Sequence, residues 1–98
     1  MKSKKIITYV VLDINPVLIE EVLSEAKVTR EKIVLEEGCE AFILTSKKQS
    51  ENTLAIFAIY VSQQSYEWHL EQDYVKSFFN FLNGKLENAP VVTYLEEI

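Results

Sequence analysis

One segment of this chain is apolar on both of the faces that it would present as a β-strand, and this feature limits the folds open to it. Side chains along a strand point alternately to the two faces of a sheet. Within residues 53–61, one face would carry Leu54, Ile56, Ala58 and Tyr60, and the other Ala55, Phe57, Ile59 and Val61. Residues 6–12 repeat the pattern. Because an antiparallel sheet with one solvated face alternates apolar and polar residues, a sheet built from these strands needs cover on both faces.

Four strands are predicted from runs of β-branched and aromatic residues. They lie at residues 6–12, 39–45, 53–61 and 91–95. The polar cluster at residues 46–52 predicts a hairpin loop between the second and third strands.

Three helices are predicted from residues that favour helix starts. Asn15-Pro16, Ser62 and Asp73 each precede a segment that can be helical. The first of these segments places Ile19, Val22, Leu23 and Ala26 on one apolar face, and it should end before Gly38. A short second helix runs through His69, and a third ends near Asn83-Gly84, a pair typical of a left-handed helix stop.

The resulting order is β-α-β-β-α-β, with the second helical region broken in two. This is the ferredoxin-like arrangement of the α+β class, an antiparallel sheet with its helices on one face. We expect a single domain over residues 1–98. The helices can cover only one face of the sheet, and the other would be an exposed apolar patch. Since closed twofold dimers are the commonest oligomers, the sequence predicts a homodimer that forms through the sheet face.

Charge and cysteine content exclude some partners and compartments. The net charge of −5 and the absence of a basic stripe make nucleic acid an unfavourable partner. The single cysteine, Cys39, cannot form an intrachain disulfide, which fits a reducing compartment. Met1–Lys5 is basic and an apolar run follows, but the run is too short for a signal peptide and ends at Asp13. No stretch is long enough to span a bilayer, so we expect a cytoplasmic protein.

Three segments carry a resemblance to a known family. Residues 36–42 (EEGCEAF) resemble the pattern E-x-G-C-x-x-[YF], and residues 60–70 (YVSQQSYEWHL) resemble W-x-s-x-x-a-l-x-x-H-L, with His69 at the histidine. Residues 74–78 (YVKSF) fit the following h-F-k-x-f. With these motifs in order on the predicted elements, the chain resembles the antibiotic-biosynthesis-monooxygenase family, whose members form dimeric α/β barrels.

The resemblance implies cofactor-free oxidation of a small aromatic or quinol-like molecule. An electron-rich substrate anion reacts there directly with oxygen, and the protein supplies deprotonation and a dry pocket. His69 would be the general acid or base, because an imidazole exchanges protons near neutral pH. Phe42, Tyr60, Trp68 and Tyr74 are the candidates for lining an aromatic substrate pocket, although aromatic residues at such spacings also serve as plain core or dimer contacts.

The chain departs from the family pattern at three places, which keeps two other functions open. Ala58 stands where an acidic residue is common, Tyr60 where the tryptophan is, and Asp73-Tyr74-Val75 where a Pro-His-Phe segment is common. One alternative is a non-oxidative relative, such as an isomerase of a small hydroxyketone. The other is a dimer that binds a small ligand without catalysis.

Other chemistries have less support in the sequence. A nucleophile–base pair of Cys39 and His69 lacks a third group, and a lone cysteine at a strand start is usually a small buried hydrophobe. One Cys and one His do not suggest a metal site, and Phe78-Phe79 stands where heme-degrading relatives need a histidine. We therefore expect neither a metal nor another cofactor. The acidic pair Glu36-Glu37 is most simply a solvated surface.

Overall fold

The sheet and helices follow the predicted order. The computed structural model describes residues 4–98, so Met1–Ser3 of the basic amino-terminal segment lie outside the described residues. The strands are β1 (Ile6–Asp13), β2 (Cys39–Lys47), β3 (Ser50–Tyr60) and β4 (Val91–Leu95). The α-helices are α1 (Ile19–Ile33), α2 (Gln63–Leu70) and α3 (Asp73–Phe81).

The four strands form one sheet in the order β2-β3-β1-β4, and each neighbouring pair is antiparallel. This topology confirms the ferredoxin-like α+β prediction. The predicted hairpin loop at residues 46–52 was too long, because β2 continues to Lys47 and β3 begins at Ser50. The turn between them holds Gln49 at a positive φ of 68°, the backbone region that tight hairpins use. At the exposed end of the hairpin Lys47 pairs with Ser50, and a register shift separates this pair from the Ser46–Leu54 pair.

Helix α1 begins after a short lead-in. The Asn15 side chain accepts a hydrogen bond from the Val17 N–H (3.1 Å), and Pro16–Leu18 form one 3-10 turn before α1. Asn15 therefore caps the helical segment as predicted. Val22 and Ala26 of the predicted apolar face are buried in the core.

Helices α2 and α3 start differently from each other. Ser62 caps α2 by accepting from the Ser65 N–H (3.1 Å), as predicted. Asp73 is not a cap: it lies in the first turn of α3, where its charge suits the helix dipole. Gly84 has a φ of 79°, which confirms the predicted left-handed stop after the last helix. None of the helices within residues 4–98 is long and apolar enough to cross a membrane.

The two faces of the sheet have different surroundings. Leu12, Leu54 and Ile56 face the helices and are buried with side chains of α1 and α3. Residues one position away in sequence face the other side, where the register pairs Tyr9 with Phe57. No helix of the described chain covers that face, and Tyr9 and Ile43 on it are exposed. The protomer therefore keeps an open apolar sheet face, formed by the alternate residues Ile7, Tyr9, Val11, Ala41, Ile43, Ala55, Phe57, Ile59, Val91 and Leu95.

Gly38 permits the close approach of α2 to the start of β2. Its carbonyl accepts from the Val61 N–H (2.9 Å), which joins the β2 start to the end of β3. A Cβ atom at position 38 would overlap the Cβ and Oγ atoms of Ser65 in the first turn of α2. Only glycine lets α2 pack here without displacement.

We expect Gly38→Ala to lower the free energy of unfolding by about 1–3 kcal/mol, the usual effect of overpacking a close contact. Urea denaturation followed by circular dichroism measures it. Adding Ser65→Gly removes the overlapping side chain, so the double variant should be more stable than the sum of the two single effects. Strictly additive losses would show that the two positions do not touch.

Candidate functional site

A cavity lies between the helix-facing side of the sheet and the three helices. Its volume is about 120 Å³, close to that of cavities of about 150 Å³ that hold a benzene ring. Its wall is mainly apolar, including Val10, Phe42, Ile56, Val75 and Phe78. Its polar lining side chains are Thr8, Thr29, Tyr60, Tyr66, His69 and Tyr94, and no Lys, Arg, Asp or Glu among residues 4–98 lines it. Leu70, Phe79 and Val92 are exposed lining residues and form an apolar mouth.

His69 is held in the cavity wall by two partners. Its Nδ1 lies 3.0 and 2.9 Å from the two carboxylate oxygens of Glu36, and its Nε2 lies 3.1 Å from the hydroxyl of Tyr60. All three side chains are buried, with exposures of 6% for His69, 7% for Glu36 and 2% for Tyr60. Both ring nitrogens of the only histidine in the chain are therefore engaged by protein groups.

The partners of His69 determine its tautomer. A carboxylate only accepts hydrogen bonds, so the proton of a neutral imidazole must lie on Nδ1, facing Glu36. Nε2 then carries the lone pair and accepts from the Tyr60 hydroxyl. If the imidazole gains a proton, Nε2–H donates to the same hydroxyl oxygen. The histidine can thus be neutral or protonated with both hydrogen bonds kept.

Glu36 has a second donor, the hydroxyl of Tyr74. The Tyr74 Oη–H donates to Glu36 Oε2 at 2.6 Å, a short distance typical of a bond to a charged acceptor. Burial, followed by the hydrogen bond to Glu36, raises the pKa of Tyr74, so this phenol remains a donor. Since a buried carboxylate is tolerated only when it is paired and hydrogen-bonded, Tyr74 and His69 together explain how Glu36 can be buried.

A further tyrosine, Tyr66, adjoins the histidine. The Tyr66 ring stacks beside His69 with 6.2 Å between centroids, and its hydroxyl bonds the Tyr94 hydroxyl at 3.0 Å. Burial raises the pKa of Tyr66, with a further contribution from that hydrogen bond. Burial also raises the pKa of Tyr60. The phenols around His69 therefore stay protonated at neutral pH.

Local backbone structure brings these side chains together from four parts of the chain. Glu36 lies in the turn after α1, where its N–H donates to the Ile33 carbonyl (3.0 Å). Tyr60 ends β3, His69 lies in the last turn of α2, and Tyr74 lies in the first turn of α3. The site is thus built where the end of the interior strand β3 meets the ends of α2 and α3 and the turn after α1.

The structure divides the residues proposed from the sequence into two groups. His69, Phe42 and Tyr60 line the cavity. Trp68 does not: it is 54% exposed and lies at a shallow surface depression beside Gly38, because one residue along a helix turns the side chain by about 100°. Tyr74 does not line the cavity either, and its contact with the site is the hydrogen bond to Glu36.

Glu36 corrects the sequence interpretation of the acidic pair as a solvated surface. Glu37 is exposed as expected, but Glu36 is buried against His69. Composition cannot distinguish two adjacent glutamates. The sequence feature that could have singled out Glu36 is its place as the first residue of the E-x-G-C pattern.

Cys39 takes no part in the hydrogen bonds that join His69, Glu36, Tyr60 and Tyr74. Its thiol donates to the Ala41 carbonyl (3.5 Å) and no hydrogen bond joins it to His69 within residues 4–98. Burial, followed by the charge of Glu36, raises the pKa of the thiol, which favours the less nucleophilic protonated form. Over the same described range, no three His, Cys, Asp or Glu side chains are grouped as ligands for a metal ion.

Comparison with known proteins identifies relatives of the whole fold. The family model described as "Antibiotic biosynthesis monooxygenase" matches residues 6–80. No curated protein matches the chain. The matched range includes Glu36, Tyr60, His69 and Tyr74.

Solved structures superimpose on nearly the entire chain. One from Caulobacter crescentus CB15, whose description names the same family, has a TM-score of 0.91 at 24% identity and covers 98% of this chain and 92% of its own. One from Nitrosomonas europaea with the same family name has a TM-score of 0.94 at 10% identity, covering 100% and 94%. A conserved protein from Methanosarcina mazei Go1 has a TM-score of 0.88 at 19% identity, covering 93% and 90%. At these identities the likeness establishes the fold.

We expect Glu36→Ala to lower the free energy of unfolding by about 2 kcal/mol, because it leaves the His69 Nδ1–H and the Tyr74 hydroxyl buried without an acceptor. Urea denaturation measures the change. Glu37→Ala is the matched control, and as an exposed substitution it should change stability by less than about 0.5 kcal/mol. Equal effects of the two variants would contradict the assigned role of Glu36.

Proposed function

The chain belongs to the antibiotic biosynthesis monooxygenase family, and from this premise we propose that it is a cofactor-independent monooxygenase acting on a small aromatic or quinol-type substrate. The observation that carries the proposal is the buried Glu36–His69 pair at the wall of a ring-sized apolar cavity. A histidine whose tautomer is fixed by a carboxylate is a prepared general base, because the carboxylate also stabilises the imidazolium that forms.

The reaction requires that the substrate supply the electrons. Deprotonation of a phenol or quinol hydroxyl gives an electron-rich anion that can reduce O₂ directly. Overall, the substrate loses two hydrogen atoms and gains one oxygen atom, and the second oxygen atom leaves as water. In this scheme His69 takes the hydroxyl proton, and the apolar wall keeps bulk water from the reacting carbon.

The character of the cavity supports a neutral, single-ring substrate. Within the described part of the chain no Lys or Arg lines it, so a carboxylate or phosphate on the ligand would be desolvated without a partner. The volume of about 120 Å³ favours one ring over a fused polycycle. Aromatic side chains such as Phe42 and Phe78 offer contacts to the faces and edges of such a ring.

We also propose that the protein works as a homodimer through the open sheet face. That face carries large apolar side chains such as Tyr9, Ile43 and Phe57, and a contiguous apolar surface of this kind marks an interaction site. An identical face related by a twofold axis is the simplest cover. The cavity lies on the opposite side of the sheet, so pairing through this face leaves the cavity mouth open.

We propose the cytoplasm as its compartment. The single cysteine, Cys39, is a free thiol and is only partly buried. A free thiol is stable where the surroundings are reducing.

We expect His69→Gln to reduce oxygen consumption with the true substrate by roughly 100-fold or more, because the general base is lost. An oxygen electrode and a panel of single-ring quinols and catechols measure it. Glu67→Ala changes an exposed side chain of the same helix and should consume oxygen like the wild type.

Two results would contradict the proposed function. Unchanged turnover in His69→Gln would remove His69 from the mechanism. Absence of oxygen uptake with every quinol, together with deuterium exchange next to the carbonyl of a small hydroxyketone, would identify a non-oxidative isomerase instead.

Substitutions at two adjacent residues of β3 test the proposed dimer. We expect Phe57→Glu to give a folded monomer, because it places an unpaired charge in the interface only. Ile56→Glu places the charge in the buried core and should prevent folding. Sedimentation equilibrium and circular dichroism measure assembly and folding. A wild-type chain that sediments as a monomer at micromolar concentration would refute the dimer.

A further inference from the structure

The resting hydrogen bonds leave His69 with no free nitrogen for a ligand. Nδ1 is bound to Glu36 at 2.9 Å and Nε2 to the Tyr60 hydroxyl at 3.1 Å. A hydroxyl group in the cavity therefore cannot donate to the imidazole while this arrangement holds. The group that bonds Nε2 is the hydroxyl of Tyr60, a residue that lines the cavity.

We propose that Tyr60 is a second catalytic residue, which receives the proton of the substrate hydroxyl and passes its own proton to His69. The inference rests on the proposed function in one respect, that His69 is the base. It adds that the base acts through a phenol and not by direct contact.

The transfer is a concerted exchange of two protons. The substrate O–H bond breaks and its proton forms a new bond to Tyr60 Oη, while the original Tyr60 O–H bond breaks and that proton forms a bond to His69 Nε2. The products are the substrate oxyanion, a neutral Tyr60 and an imidazolium paired with Glu36. Tyr60 then donates to the oxyanion and accepts from Nε2–H, so both ends of the new ion pair are hydrogen-bonded.

The geometry of Tyr60 supports this role. A phenol oxygen has two lone pairs and one proton, and the hydrogen bond found for the Tyr60 hydroxyl within residues 4–98 is the one to His69. When the hydroxyl donates to Nε2, its oxygen can still accept from a ligand. Burial raises the pKa of Tyr60, so the hydroxyl carries its proton in the resting state.

Other cavity hydroxyls are placed less favourably for the transfer. The Tyr66 hydroxyl is bonded to that of Tyr94 at 3.0 Å, and neither bonds His69. The Thr29 hydroxyl donates to the Glu25 carbonyl at 2.9 Å within its own helix. Tyr60 is the lining hydroxyl that the structure joins to His69.

The test uses 4-nitrophenol, whose phenolate absorbs visible light, as a probe that needs no oxygen. We expect binding to the wild-type protein to raise the ionised fraction of the probe above that of the free probe. Tyr60→Phe removes only the hydroxyl and should lower the ionisation constant of the bound probe by about 10-fold, because a hydrogen bond to a charged oxygen is lost. Nitrobenzene, which lacks the hydroxyl, should bind both proteins equally and report an intact cavity.

Three further variants complete the design. Glu67→Ala changes an exposed side chain of α2 that does not line the cavity, and it should ionise the probe like the wild type. His69→Gln should also lose probe ionisation, and the Tyr60→Phe/His69→Gln double variant should lose no more than either single variant, because one path carries the proton.

If the Tyr60→Phe variant ionises the probe as strongly as the wild type does, the inference is overturned and His69 reaches the ligand itself. A wild-type protein that does not bind or ionise 4-nitrophenol would overturn it as well, as would additive losses in the double variant. If the probe behaves as expected but no quinol is oxidised, the monooxygenase proposal fails and the proton path through Tyr60 remains.

Discussion

The buried carboxylate of Glu36 is the interaction on which the arrangement of this site depends. An ionised carboxylate in an apolar interior needs hydrogen-bond donors, and here the donors come from the end of α2 and the start of α3, His69 and Tyr74. The turn after α1 is thereby tied to both later helices. The same bonds orient the imidazole toward Tyr60. One desolvated charge thus positions the helix ends and defines the chemistry at the cavity wall.

Much of the fold could be predicted from local sequence because its signals are local. β-Branched runs marked the strands, Asn15 and Ser62 marked helix starts, and Gly84 marked a helix stop. Strand ends were less predictable, because polar residues such as Ser46 and Ser50 remain in the exposed hairpin as strand. In this hairpin, pairing with the neighbouring strand determines which residues are strand, and residue composition does not.

The candidate site was less predictable because it depends on contacts between distant segments. The family motif supplied His69, and aromatic residues within the matching segments supplied Phe42 and Tyr60 as pocket candidates. Neither source could indicate that Glu36 is buried and Glu37 exposed, since that difference depends on where the turn after α1 directs each side chain. Nor could aromatic content show that Tyr74 bonds a carboxylate and that Trp68 faces outward. Helical periodicity applied residue by residue would have separated Trp68 from His69.

Strand β3 carries the cavity wall and the open apolar face on alternate residues. Ile56, Ala58 and Tyr60 face the cavity, while Ala55, Phe57 and Ile59 face the open side. An insertion or deletion of one residue inside this strand would reverse every side chain beyond it, exchanging the cavity lining for the outer surface in one step. Changes of length should therefore be least disruptive in the exposed turn at residues 48–49 and in the helical connections. Substitutions within the strand can alter one surface almost independently of the other.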